Sequence, residues 1–218
     1  MKPDYERAAT MALVTLLDSE IHKTPISPLP LLKRRPGVIV MTFAEVSNFA
    51  EMDRDCIIGD YGANQDAVTF YVNRDKVRYL VFYNQQLPMA HVQRALAREL
   101  GHIVLGHDGT RPAPVRDAEA VFFAHHLLCP RPLIHAIQAA GVPVTVEVLG
   151  NVTGCYEKCL TDMRCEPGVH VDPDLNRCVR DRFSEYLRNY LEYIQFLTPK
   201  DASAPADFGA FMDGYEEE

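Results

Sequence analysis

The chain of 218 residues is 47% apolar, enough for the core of one domain, or of one domain with a small appendage. A net charge of −8 and a pI near 5.5 exclude a nucleic-acid footprint, and five of the eight negative charges fall from Pro199 onward. No apolar run approaches the ~20 residues of a membrane span. The apolar stretch Met11–Leu17 lacks a cleavage-site pattern, and six cysteines without a secretion signal read as reduced thiols, so a cytoplasmic protein is expected.

From Asp4 to about Ile21 the spacing predicts an amphipathic helix, with Ala8, Ala12 and Leu16 on one stripe and Tyr5 and Leu13 beside it. Pro25, Pro28 and Pro30 predict an extended linker, and Lys33–Gly37 a turn. Gly37–Phe43 is a short β-branched run and reads as a buried strand. Ala44–Asp53 reads as a short helix and Gly59–Gly62 as a loop. Ala67–Val72 and Val77–Tyr83 alternate like the arms of a hairpin, completing a small three-stranded sheet. The second arm leads straight into the next helix. It is therefore expected to line a cleft with one edge unpaired, where a peptide could add as a further strand.

That next helix, Ala90–His107, organises the rest. Val92, Leu96, Leu100, Ile103 and Val104 give it one buried face, Pro88 suits its start and Gly106 the position past its end. Arg98 and His102 lie one turn apart on a single face, with Glu99 beside them. A histidine at position 98 would make this the His-Glu-x-x-His helix of zinc peptidases, in which two imidazoles ligate Zn²⁺ and the Glu is the general base. A turn-rich link leads to a second helix, Val115–Cys129, stopped by Pro130. The short link makes the two helices antiparallel neighbours, so that Glu119 can face Arg98 and His102. His107 and His126 are conceivable substitutes for a missing ligand, whereas His91 lies too far along the helix axis.

Further helices are predicted at Pro132–Ala140, Glu147–Arg164 and Asn176–Leu197. Cys155, Cys159, Cys165 and Cys178 do not have zinc-ribbon spacing, and the first two are expected on adjacent turns of one helix. The acidic segment from Thr198 reads as a disordered tail.

Together, ALARELGHIVLGH and RDAEAVFFAHHLLCP resemble the core signature of the ImmA/IrrE metallopeptidase family. The resemblance implies an α+β, mainly helical, zincin-like domain with a small three-stranded sheet and additional C-terminal helices. It implies a core over residues 1–130, a helical extension over 131–197 packed on it, and the tail over 198–218. By position, Glu99 matches the catalytic general base, and His102 and Glu119 match zinc ligands. Arg98 stands where the first ligand belongs, and Val121 where the family has Asn.

Arginine has no lone pair to give a metal and stays protonated below pH ~12. Its fork does match a carboxylate, so Arg98 is expected to pair with Glu119 and stand in for zinc. Arg98→His is then expected to rebuild a three-ligand site. Two functions follow from the resemblance. One is a zinc endopeptidase that cleaves a transcriptional repressor in prophage, mobile-element or stress control. The other is a pseudo-peptidase whose cleft recognises such a regulatory protein without cutting it, with no direct contact to nucleic acid or membrane. Arg98 favours the second.

Overall fold

Asp4 begins the first helix. Its carboxylate accepts the Arg7 N–H at 3.0 Å, satisfying one of the donors that a helix start leaves open. Helix α1 (Tyr5–Leu17) buries Ala8, Ala12, Leu13 and Leu16, the faces read from the sequence. The computed structural model describes residues 1–50, 66–74, 76–108, 110–164 and 166–197. In it the proline-rich stretch is not extended throughout, because Pro28–Lys33 forms a short helix, α2. Pro28 opens it and Pro30 stays within its first turn, where helical N–H groups have no partner to lose.

Strand β1 (Val38–Thr42) runs into α3 (Phe43–Ala50) through a reciprocal cap. The Glu45 N–H donates to Thr42 Oγ1 at 3.0 Å, and the Thr42 N–H donates to the Glu45 carboxylate at 2.6 Å. The expected helix end at Asp53 and the loop at Gly59–Gly62 lie outside the described residues. Strands β2 (Ala67–Arg74) and β3 (Val77–Tyr83) pair antiparallel, with an irregularity between Tyr71 and Arg74. β1 pairs with β3 in parallel, Val38 opposite Tyr79, which gives the order β1-β3-β2.

That order corrects the reading of Val77–Tyr83 as an edge. β3 is the central strand and is hydrogen-bonded on both sides. A parallel partner needs a crossover connection, and β1 and β3 are separated in the chain by α3 and β2. Val81 is fully buried at the middle of the sheet. Among the described residues β2 is an edge strand, and it packs against the next helix.

Helices α4 (Met89–Val104) and α5 (Ala113–Leu128) follow, as expected. They cross at Gly101, where a Cβ would stand 3.0 Å from the Ala120 carbonyl oxygen and 3.0 Å from the Phe123 ring. Only a residue without a side chain allows the two helices so close.

Contacts divide the chain into two compact units, Met1–Pro3 with Ser27–Ala124, and Asp4–Ile26 with His125 onward. The first holds the sheet, α2 to α4 and most of α5. Its core includes Leu32, Phe43, Val81, Leu96, Leu100 and Phe122. The second gathers α1 with α6 (Arg131–Ala139), α7 (Val146–Thr153), α8 (Glu157–Arg164), α9 (Pro173–Arg182) and α10 (Ser184–Leu197). There α1 packs on α9, and the Arg182 guanidinium closes the end of α1 by donating to the Leu17 and Ser19 carbonyls.

Two helices read as continuous are each divided. Gly154, at φ +69°, ends α7 in the left-handed conformation, and the buried Phe183 sits at the break between α9 and α10. Cys155 falls in the first break and Cys159 is buried on α8, so they do not occupy adjacent turns of one helix. Cys178 is exposed on α9, while Cys165 and the acidic tail lie outside the described residues. The architecture is α+β and mainly helical, with a small mixed sheet. Among the described residues no helix is long and apolar enough to cross a membrane.

Gly101→Ala tests the crossing. Helix propensity alone favours alanine by about 1 kcal/mol, whereas forcing a methyl into a filled contact costs about 1–3 kcal/mol. The backbone oxygen of Ala120 cannot rotate away, so thermal melts should show a lower Tm. A higher Tm would mean that the two helices part easily.

Candidate functional site

The site begins with the exit from α4. Gly106, at φ +69°, lets its own N–H reach the Ile103 carbonyl at 3.2 Å and the His107 N–H reach the His102 carbonyl at 2.9 Å. This paired closure brings the residue two past the helix cap against the third residue in from the end. An apolar contact is common there; here the two residues are His107 and His102. Their rings meet edge to face at 5.0 Å, with Nδ1 to Nδ1 at 2.9 Å.

The contact continues across α5. His107 Nε2 lies 3.0 Å from Glu119 Oε2, and Arg111 Nη1 donates to the same oxygen at 2.8 Å. Burial lowers the His102 pKa to about 3, with help from His107 and the charges of Arg98 and Arg116. Burial also lowers that of His107, against the pull of Glu119. Both rings are therefore neutral near pH 7. Their tautomers follow from the geometry. His107 donates from Nε2 to the carboxylate, which leaves its Nδ1 as an acceptor. His102 must then donate from Nδ1, leaving its Nε2 bare, 3.6 Å from Asp117 Oδ1.

Arg98 does not pair with Glu119, contrary to the expectation from sequence. Its Nε and Nη2 donate to Glu99 Oε1 at 3.0 and 2.8 Å, and Nη2 also reaches the Ala67 carbonyl at 3.1 Å. Glu99 is only 2% exposed and needs a cation close by, while Glu119 is already held by Arg111 and His107. Burial pushes the Glu99 carboxyl up, and the Arg98 charge opposes that shift.

The sheet explains the Ala67 contact. The Asn84 N–H donates to the Asp66 carbonyl at 2.9 Å, so residue 66 faces β3. Along an antiparallel strand this alternates, and Ala67, Thr69 and Tyr71 turn their backbone groups to the outer edge of β2. Arg98 takes the first outward carbonyl. Beside it lies a cavity of about 270 Å³ whose lining includes Thr69, Tyr71, Arg98, Glu99, His102 and Asp117.

Residues 59–150 match a peptidase family model described as the IrrE N-terminal-like domain. This stretch is an ImmA/IrrE-type domain. No curated protein and no solved structure matches the chain.

Arg98, Glu99, His102 and Glu119 all fall within the ImmA/IrrE-type domain. Of the conceivable substitutes, His107 joins the cluster, while His126 is buried in the second unit. Arg111, Arg116 and Asp117 complete the surroundings; nothing in their local spacing singles them out.

The family's zinc does not fit these residues. By the resemblance the first ligand's position falls on Arg98, whose guanidinium has no lone pair to give, and Glu119 Oε2 already accepts from two donors. Among the described residues no group of three His, Cys, Asp or Glu side chains is arranged to hold a metal ion.

Two measurements check this electrostatic arrangement. Arg98→Ala removes the guanidinium that donates twice to the buried Glu99 carboxylate and should cost about 1–3 kcal/mol. Adding Glu99→Gln should recover part of that loss in denaturant melts, and a neutral Arg98→Ala would contradict the pairing. For His102, the unfolded value of 6.5 falls to about 3 on folding. Its contribution is thus fully present above pH 6.5 and is lost as the pH falls toward 3. His102→Gln keeps a donor for His107 but cannot titrate. The stability gap between wild type and this variant should narrow as the pH is lowered, and a constant gap would contradict the neutral ring.

Proposed function

We propose that the cleft of this ImmA/IrrE-type domain recognises a segment of a regulatory protein without hydrolysing it. The observation that carries the reading is the Arg98–Glu99 pair. A general base must be open to the proton of a bound water. Glu99 instead accepts two hydrogen bonds at Oε1 from a guanidinium on its own helix, whose charge makes the carboxylate a weaker base.

The recognised segment is an extended peptide laid along the outer edge of β2. Among the described residues no strand pairs with that edge, and Thr69 and Tyr71 are among the residues that line the cavity. Backbone pairing would give affinity and the polar cavity would give selectivity. The family resemblance points to a transcriptional repressor, or a comparable regulator of a prophage, mobile element or stress response, as the partner. The net charge of −8 favours action through such a protein over direct contact with nucleic acid.

Elemental analysis and a binding assay test the reading together. Purified full-length protein should carry no stoichiometric zinc and should leave a bound repressor intact. Thr69→Pro removes an outward N–H without touching the β2–β3 ladder and should weaken binding about tenfold, or ~1.4 kcal/mol. The active-peptidase alternative, with Glu99 as general base, would be supported by one zinc per chain that disappears in His102→Ala, together with cleavage of the repressor.

A further inference from the structure

We infer that Arg111 is a second internal cation replacing the metal, and that restoring a histidine at position 98 alone cannot return the site to zinc. The inference deepens the metal-free reading of the cleft and rests on it.

Three corners would be needed for a tetrahedral peptidase zinc with a fourth position left open. One of them, His102, remains competent. His107 accepts its Nδ1–H and leaves Nε2 bare, the arrangement in which a partner on one ring nitrogen orients the other toward a metal. A second corner, position 98, is lost through the guanidinium. The third corner is lost independently. Glu119 Oε2 is held by Arg111 at 2.8 Å and by His107 at 3.0 Å, with the carboxylate side chain only 1% exposed.

Arg111 is itself held in place. Its Nε lies 3.2 Å from Met1 Sδ, and its carbonyl accepts from Arg116 Nε at 3.0 Å. A zinc ion approaching Glu119 Oε2 would therefore have to displace a charge-assisted hydrogen bond, and at either oxygen it would meet the guanidinium's positive charge at close range. Each of the two buried carboxylates has its own arginine, Arg98 for Glu99 and Arg111 for Glu119. One substitution frees only one of the two.

Zinc titration against a chromophoric chelator, on full-length wild type, Arg98→His, Arg111→Gln and Arg98→His/Arg111→Gln, tests this. Wild type and both single variants should bind zinc weakly. The double variant should bind about 10–100-fold more tightly than Arg98→His, the range by which partners of metal ligands alter affinity. Should the double variant be unfolded without metal, zinc-dependent folding followed by circular dichroism reads the same gain, and Arg98→His should show no comparable rise in Tm with zinc. Equal affinity of Arg98→His and the double variant would overturn the role of Arg111 alone. Stoichiometric zinc on wild type would overturn the metal-free reading on which it rests.

Discussion

Gly101 brings the backbones of α4 and α5 together, and the arrangement of the cleft depends on that closeness. With a Cβ at position 101 only 3.0 Å from the Ala120 oxygen, the helices would have to separate or shift. Glu119 lies next to that contact on α5, and Arg98, Glu99 and His102 lie within one turn of it on α4. A carboxylate from one helix can then meet the imidazole pair at the end of the other, although more than a turn of chain separates each from its partner. Interiors as dense as this transmit small displacements, so the crossing sets the distances of the polar groups around it.

Charge balance around that crossing is achieved within the chain. Two carboxylates are almost fully buried, and an isolated buried carboxylate is costly. The two arginines, each partly open to solvent, bring positive charge to them while keeping part of their own hydration. Between the two pairs sit two neutral imidazoles that pass a single direction of hydrogen bonding from His102 to Glu119. The cluster is thus a connected polar network that leaves His102 Nε2 as an acceptor, 3.6 Å from Asp117 Oδ1, and both residues line the cavity. Recognition of a protein segment is a function such a network can serve, because it shapes and polarises a cavity without needing to move protons.

Much of this was legible in the residues. The 3.6-residue periodicity of α4 and α5 and the alternation of the hairpin follow directly from side-chain burial. What sequence misjudged has physical causes. Prolines at the start of a helix look like those of an extended linker, so α2 was hidden. Gly154 inside an apparently continuous pattern marks a left-handed helix end. Strand order is a matter of topology, and no local pattern in Val77–Tyr83 tells that a parallel partner occupies its second edge. Helix proximity and the match of a guanidinium to a carboxylate favour an Arg98–Glu119 pair, but they leave out the competing donors Arg111 and His107. One of those was accessible: Gly106 predicts a paired helix closure, and that closure sets residue 107 against residue 102.

The grip of Arg98 on the Ala67 carbonyl has a consequence for how copies of this chain meet. An outer strand presents a row of unpaired backbone groups that can template a strand from another molecule, and proteins commonly protect such rows with charged side chains. By closing the first outward carbonyl of β2, Arg98 shortens the row and sets a bulky cation at its end. A neighbouring copy approaching in register would lose one hydrogen bond and meet that charge. Among the described residues, then, the carbonyl of Ala67 on the outer edge of β2 is already taken by a side chain of the same chain.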